Sequence, residues 1–152
     1  MDTIALDPRL SGATREFLGR GGKLLIDGKL VAAASGKSFP VYNPATGTTI
    51  CSVAEADSED VDRAVKAARR AFDEDGWART KPNERSRLLW KLAELLERHT
   101  DEFAELESLD NGKPVAVARV ADVPLAVDMF RYMAGWSTKL TGSTIPLSMP
   151  GD

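Results

Sequence analysis

The sequence predicts a mixed α/β fold in which two β-hairpins are followed by about four helices. Between residues 24 and 53, short apolar runs alternate with turn-forming residues, a pattern typical of strands. After Glu55, apolar residues recur every three or four positions, which indicates amphipathic helices. The chain has 152 residues, of which 43% are hydrophobic and 28% charged, so we expect one folded domain with a hydrophobic core.

The composition argues against several classes of protein. Twenty basic and 23 acidic residues give a net charge of −3, whereas a nucleic-acid-binding protein usually carries a basic excess. No apolar run reaches the about 18 residues that a membrane helix needs, and the N-terminus lacks the features of a secretory signal. One cysteine, Cys51, and one histidine, His99, do not suffice for a Cys/His zinc site. We therefore expect a cytoplasmic protein that binds neither nucleic acid nor membrane.

The first half of the chain contains the predicted hairpins. Residues 1–22 show no sustained period and are expected to form an N-terminal arm or loop. A tight turn at Asp27-Gly28 separates strands at 24–26 and 29–31, because this dipeptide favours the positive φ angles of a type I′ turn. A second hairpin pairs residues 38–42 with 48–53, and Pro40 restricts its own strand to an edge or a strand start.

Capping and breaking residues mark four helices in the second half. Asp57 or Ser58 is expected to cap the first, Thr100 the third and Asp122 the fourth. Proline suits the first turn of a helix, and Pro82 and Pro124 predict such turns in the second and fourth helices. The third helix is expected to end at Asn111-Gly112 before Pro114.

Each helix is predicted to turn one apolar face toward the core. The expected inward residues are Val61, Ala64, Val65, Ala68 and Phe72 in the first helix, then Leu88, Leu89, Leu92, Leu95, Leu96 and His99 in the second, then Phe103 and Leu106 in the third, and Ala126, Met129, Phe130, Met133 and Leu140 in the fourth. Gly135 lies within the fourth helix, where a closely packed neighbour would explain a glycine.

The residues alone do not assemble a catalytic centre. Cys51 lies in a strand pattern without a nearby histidine, and His99 is expected to cap or pack at a helix end. The Ser35-Gly36-Lys37-Ser38 segment lacks the first glycine and the helix of a phosphate-binding loop. Two charged groups are interpreted as solvated helix faces: Asp101, Glu102, Glu105, Glu107 and Asp110, and Arg63, Lys66, Arg69 and Arg70.

Taken in order, several short motifs resemble the N-terminal part of the NAD(P)-dependent aldehyde dehydrogenase family. They are Ile26-Asp27-Gly28, Phe39-Pro40-Val41-Tyr42-Asn43-Pro44-Ala45-Thr46-Gly47, Val53-Ala54, the helix from Asp60 to Ala68, Trp77, Arg85-Ser86-Arg87-Leu88-Leu89, Leu109-Asp110-Asn111-Gly112-Lys113-Pro114 and Arg131-Tyr132-Met133-Ala134-Gly135-Trp136. Each motif is weak alone, but their order and spacing across about residues 23–147 make the resemblance specific.

The resemblance implies an α/β fold of the aldehyde dehydrogenase type and oxidation of an aldehyde to a carboxylic acid with NAD or NADP. In that family a cysteine thiolate attacks the aldehyde, a hydride passes to the cofactor, and the thioester is hydrolysed. The nucleophile, the glutamate base, the oxyanion asparagine and the glycine-rich cofactor turn belong to segments downstream of the part represented here. This chain alone is therefore expected to be inactive and to bind no cofactor tightly, with no catalytic or cofactor-binding residues of its own.

The resemblance also suggests two sites within this chain. Some family members bind a structural monovalent cation at the positions of Val41, Tyr42 and Asp110, where carbonyl and carboxylate oxygens are suitable hard ligands. The alternative is that Asp110-Asn111-Gly112 serves only to end a helix. Leu125 falls near a position that lines the aldehyde entry tunnel in the family.

The domain boundaries follow from the same resemblance. Residues 1–22 form the arm, 23–141 the N-terminal part of the cofactor-binding domain, and 142–152 the start of a truncated oligomerisation strand. We expect a homo-oligomer or association with a complementary fragment. One alternative is a noncatalytic interaction module that docks on a full-length relative through the leucine stripe and the Gly135 helix. Another is a degenerate remnant without a role.

Overall fold

The structure is a computed structural model that describes residues 9–74 and 76–143. Its helices are α1 (Gly12–Gly19), α2 (Ser58–Asp73), α3 (Pro82–Arg98), α4 (Thr100–Asn111), α5 (Val115–Val117) and α6 (Val123–Trp136). Its strands are β1 (Leu24–Ile26), β2 (Lys29–Val31), β3 (Ser38–Tyr42) and β4 (Thr49–Ala54). A 3₁₀ turn (Gly76–Arg79) precedes α3, and a π-helical segment (Ala118–Asp122) joins α5 to α6. Most of the predicted oligomerisation segment, 144–152, lies outside the described residues.

The N-terminal arm contains the helix α1, which the sequence analysis did not predict. Ser11 caps α1 by accepting a hydrogen bond from the Thr14 backbone N–H, and Thr14 and Leu18 are buried. The Ser11 N–H and the Thr14 hydroxyl both donate to the Glu105 carboxylate on α4, at 3.0 Å and 2.5 Å to Oε2. Tertiary anchoring therefore stabilises a helix too short to show an apolar period.

Both predicted hairpins are confirmed, and each forms its own two-stranded antiparallel sheet. Asp27 and Gly28 adopt φ angles of 54° and 71°, as the tight turn between β1 and β2 requires. Gly22 forms a parallel bridge to Val53 in β4, which ties the segment after α1 to the second hairpin. A Cβ at Gly22 would lie 2.4 Å from Val53 Cγ1, so only glycine fits there.

Helix α2 begins as predicted at its Asp57 cap. Asp60, which is 1% exposed, completes a capping box with Asp57. Its two carboxylate oxygens also accept from the Ala34 backbone N–H, at 3.0 Å and 3.2 Å. One buried carboxylate thus fixes both the start of the helix and the loop between the two hairpins.

The junction between α3 and α4 differs from the prediction. Pro82 begins α3 as expected, but the residue that caps α4 is His99 rather than Thr100. The Thr100 hydroxyl donates to the Glu97 carbonyl at 2.6 Å and is therefore committed to the preceding helix. His99 also ends α3, which confirms its predicted place at a helix terminus. The predicted stop is confirmed as well, since Gly112 adopts φ 80° and donates its N–H to Ser108.

Asp122 lies at the N-cap position of α6, as predicted, but its side chain makes no capping hydrogen bond. The backbone is helical from Val115 to Trp136, with the π segment in its middle, and Asp122 itself has helical angles. Pro124 offers no N–H to the Val120 carbonyl and would clash with it in a regular helix. The wider π turn accommodates the proline without ending the helix. The Asp122 carboxylate instead accepts from Lys113 Nζ at 2.5 Å.

The core lies where α3, α4, the π segment and α6 meet. Its buried members are Ala93, Ala104, Ala118, Val123 and Val127, and Leu96, Val115 and Phe130 pack against them while partly exposed. Arg131 of α6 reinforces this contact, because its guanidinium binds Glu97 of α3 at 2.6 Å and lies over the Trp90 ring.

Much of the predicted inward surface is instead exposed. Val61, Val65 and Phe72 of α2, Leu88, Leu92 and Leu95 of α3, Phe103 of α4, and Met129, Met133 and Leu140 are all exposed. These apolar residues do recur at helical spacing. However, the closest contacts between helices of the described chain are made by small residues on neighbouring faces. A Cβ at Gly135 would meet only Lys139 Nζ, at 3.7 Å, so no tight neighbour explains this glycine among the described residues.

No helix of the described residues combines the length and the hydropathy that a membrane crossing requires.

Replacing Asp60 by alanine tests the capping carboxylate. We expect D60A to lower the free energy of unfolding by about 1–3 kcal/mol, because the Ala34 and Asp57 N–H groups lose their acceptor. The matched control D62A removes an exposed carboxylate from the same helix and should change it by less than about 0.5 kcal/mol. Urea unfolding followed by circular dichroism measures both, and equal midpoints for the two variants would contradict the assignment.

Candidate functional site

The C-terminal end of α4 meets the loop that joins β3 to β4. A Cβ at Gly112 would lie 3.1 Å from Pro44 Cγ and 3.7 Å from the Ala45 nitrogen. Asn43 shapes this loop, because its side-chain oxygen accepts from the Ala45 N–H at 2.9 Å and its carbonyl accepts from the Gly47 N–H at 2.7 Å. The glycine that ends the helix therefore also lets the hairpin loop approach.

Two of the three predicted cation ligands lie next to each other on β3, and the third lies at the end of α4. Val41 pairs with Cys51 across the hairpin, and a β-bulge separates Val41 from Tyr42. Burial raises the pKa of the Cys51 thiol, and the negative charge of Asp110 raises it further. The Asp110 carboxylate is thus within electrostatic range of the strand pair that contains Val41, whereas the Tyr42 side chain is more than half exposed.

These surroundings make Cys51 a poor nucleophile. Attack requires the thiolate, which forms readily only where positive charge or a helix N-terminus lowers the pKa of the thiol. Cys51 experiences burial and a carboxylate instead, and both disfavour its charged form. The prediction that Cys51 is a small strand residue agrees with its place in β4.

Leu125 lies in the first turn of α6, and its side chain is 66% exposed. It follows the π segment, whose last residue is paired with Lys113. The Lys113 backbone is held as well, since Ser108 Oγ donates to its carbonyl and its N–H donates to Asn111 Oδ1. The hydrogen bond from Lys113 to Asp122 raises the pKa of the lysine, which keeps its ammonium group charged.

Sequence reasoning missed the roles of Glu105 and Lys113. Glu105 was placed on a solvated face, yet it anchors α1. Burial alone raises the pKa of Glu105, but the hydrogen bonds from Thr14 and Ser11 outweigh burial and lower it overall. The only sequence signal for α1 is Ser11, a residue that often caps helices. The signal for Lys113 is its position directly after the helix-ending Gly112 and nine residues before Asp122.

The acidic residues of α4 do not gather a metal ligand set. Among residues 9–74 and 76–143 no group of three or more His, Cys, Asp or Glu side chains is placed to hold a metal ion. Asp101 pairs with Arg119 at 2.6 Å and Glu102 with His99 at 3.1 Å, so both have local partners.

The described residues do not fit a dinucleotide. A pyrophosphate site needs a strand, a glycine-rich turn and a free helix N-terminus. The connection from β4 to α2 is Glu55-Ala56-Asp57, which contains no glycine, and the Asp57 and Asp60 carboxylates occupy the N-terminus of α2. Gly19 is the last residue of α1, and Gly21 and Gly22 follow that helix, so none of these glycines follows a strand.

Comparison with known proteins agrees with the motifs quoted above. The sequence profile described as "Aldehyde dehydrogenase family" matches residues 30–152. The chain belongs to the aldehyde dehydrogenase family. It is 52% identical over 124 residues to "Aldehyde dehydrogenase family 2 member B4, mitochondrial" of Arabidopsis thaliana, a match that covers 82% of this chain and 23% of that protein. It is 47% identical over 126 residues to human "Aldehyde dehydrogenase, mitochondrial", covering 82% and 24%.

Solved aldehyde dehydrogenases share the fold. The NAD+ complex of the Bacillus cereus aldehyde dehydrogenase matches with a TM-score of 0.87 and 48% identity, over 92% of this chain and 28% of that one. The predicted α/β fold of the aldehyde dehydrogenase type is therefore confirmed for this N-terminal part. The chain spans about a quarter of the length of the curated relatives that it matches.

Proposed function

We propose that this chain supplies the N-terminal scaffold of an aldehyde dehydrogenase that oxidises an aldehyde to a carboxylic acid with NAD or NADP, and that the 152 residues alone are inactive. The observation that carries the second part is the setting of Cys51. It is the only cysteine in the sequence, and both burial and Asp110 raise the pKa of its thiol. A family whose chemistry begins with a thiolate needs the opposite setting.

The cofactor argument points the same way. The connection from β4 to α2 lacks glycine and ends on two carboxylates, which repel a pyrophosphate. We therefore expect NAD or NADP to be bound by polypeptide other than the described residues. The same proposal includes an aldehyde substrate, assembly into oligomers and a cytoplasmic location. The cytoplasmic location is supported by the single cysteine, which has no internal partner for a disulfide.

The purified 152-residue chain is expected to show no aldehyde-dependent reduction of NAD+ or NADP+. The measurement is the absorbance of the reduced cofactor with a panel of aldehydes, with the Bacillus cereus enzyme as the positive control. The variant C51S separates the outcomes. If turnover appears in the wild-type chain and is lost in C51S, Cys51 is the nucleophile and the proposal of inactivity is wrong.

We further propose that the Val41, Tyr42 and Asp110 corner binds a monovalent cation and that Leu125 faces the aldehyde entry path. The support for the cation is that the Asp110 carboxylate acts electrostatically on Cys51, the residue that pairs with Val41 of β3, and that carbonyl and carboxylate oxygens are hard ligands. The support for Leu125 is its exposed position in the first turn of α6.

The pH dependence of Cys51 alkylation by iodoacetamide tests the cation site. D110N is expected to lower the pKa of the Cys51 thiol, because a negative charge that opposes the thiolate is removed. Adding potassium should lower the same pKa in the wild-type chain and leave it unchanged in D110N. D101N is the matched control, since Asp101 lies at the other end of α4. Equal potassium effects in wild type and D110N would mean that the corner binds no cation.

A second candidate function, a noncatalytic interaction module, is favoured by the exposed apolar side chains of α3 and α6. Leu88, Leu92 and Leu95 follow one another at helical spacing, and Met129 and Met133 do the same. The proposed partner is a full-length relative or a complementary fragment. Either would carry the parts of the family fold that this face belongs with. A surface of this kind marks an interaction site.

Size-exclusion chromatography tests this candidate with the Bacillus cereus chain from which the matching N-terminal part has been removed. We expect a complex with the wild-type chain, and L92D should weaken it about tenfold because a charge is placed in an apolar contact. L25D is the control, since Leu25 is 69% exposed on β1, outside the helical face. Absence of a complex at micromolar concentration would remove this candidate and favour a remnant without a role.

A further inference from the structure

A groove lies between the β1–β2 hairpin and the middle turns of α2. Its volume is about 350 Å³, and its floor is apolar. The residues that line it are Ile26, Asp27, Lys29, Val31, Arg63, Lys66, Ala67 and Arg70. Four of these eight side chains are cationic and one is anionic, so the walls carry a net charge of +3 on a chain whose overall charge is −3.

The geometry of α2 creates this concentration of charge. Arg63, Lys66 and Arg70 are separated by three and four residues and therefore share one face of the helix. Like charges at these spacings destabilise an isolated helix, which an anion between them would relieve. Sequence reasoning placed all four basic residues of this helix on one solvated face. The structure instead separates Arg69, which lies beside Phe72, from the three that line the groove.

The existing ion pairs neutralise the groove only in part. Arg70 binds Asp27 at 2.5 Å across the groove, whereas Lys66 and Arg63 pair with carboxylates of their own helix that do not line it. The Lys66 pair is largely exposed to solvent and is therefore weak. Lys29 has no ion-pair partner within residues 9–74 and 76–143. The groove is therefore lined by two guanidinium groups and two ammonium groups but by only one carboxylate.

We propose that this groove binds a small molecule through a phosphoryl group. Guanidinium groups match the oxygens of a phosphate in a bidentate fashion, and the two lysines supply further charge. The floor formed by Ile26, Val31 and Ala67 gives an apolar surface on which the rest of the ligand lies. The groove shares no residue with the Asp110 corner or with Leu125.

The size of the charged patch favours a small ligand over a nucleic acid. A protein that binds nucleic acid neutralises several successive phosphates along an extended basic surface. Here four cations surround a single groove, and the chain as a whole is acidic. The charge and the volume are matched to one phosphoryl group with a compact organic part.

Titration of the 152-residue chain with phosphate, followed by backbone amide NMR, tests the proposal. Inorganic phosphate and phenyl phosphate are the probes, at constant ionic strength kept with chloride. We expect saturable shifts in the Asp27-Gly28 turn and in the groove-facing part of α2, with phenyl phosphate binding more tightly because its ring covers the apolar floor. Shifts that do not saturate, or that chloride alone reproduces, would overturn the proposal.

Charge-changing variants determine whether the groove itself is responsible. K29Q and K66Q should each weaken binding about two- to fivefold, the range typical of one exposed charge interaction. D27N should strengthen it by a similar factor, because the opposing carboxylate is removed while Asn-Gly still suits the type I′ turn. R69Q removes the same charge from the other side of α2 and should leave binding unchanged. Weaker binding in D27N, or equal losses in R69Q and K66Q, would show that the anion binds elsewhere.

Discussion

Three alanines with no solvent exposure set the distance between the helices of this chain. Ala93 of α3, Ala104 of α4 and Ala118 of the π segment fill the centre of the helical core together with Val123 and Val127. Small side chains let helix backbones approach closely, and closely packed interiors lose stability when volume is added. This close approach determines which side of each helix is left for larger apolar residues, and in α3 and α6 that side is exposed.

The same packing places the candidate site. Helix α4 contributes Ala104 to the core, and seven residues later it ends at Asn111-Gly112 against the hairpin loop. The turn that follows is held by Lys113, which reaches Asp122 and so connects the end of α4 to the π segment. The Asp110 corner and the Leu125 turn are therefore positioned by one short stretch of chain whose two ends are fixed.

Local chemistry in the sequence was sufficient for part of this structure. The Asp27-Gly28 turn, the Asp57 cap, the proline at 82 and the left-handed Gly112 each depend on a few adjacent residues, and each is confirmed. Helix α1 depends on a distant partner, Glu105, whereas the π segment depends on the neighbouring Pro124 together with Lys113, which binds Asp122. The buried faces were predicted from apolar periodicity, which does not indicate whether alanine or leucine makes the contact.

The candidate site was proposed only through the resemblance, because no local sequence pattern links Val41 to Asp110. The outward position of the large apolar side chains is what the helical core requires, and carbene footprinting of the isolated chain measures it directly. We expect heavy labelling of Leu88, Leu92 and Met133, and protection of Val123 and Val127. Protection of the first group to the same degree as the second would contradict the arrangement of the core described above.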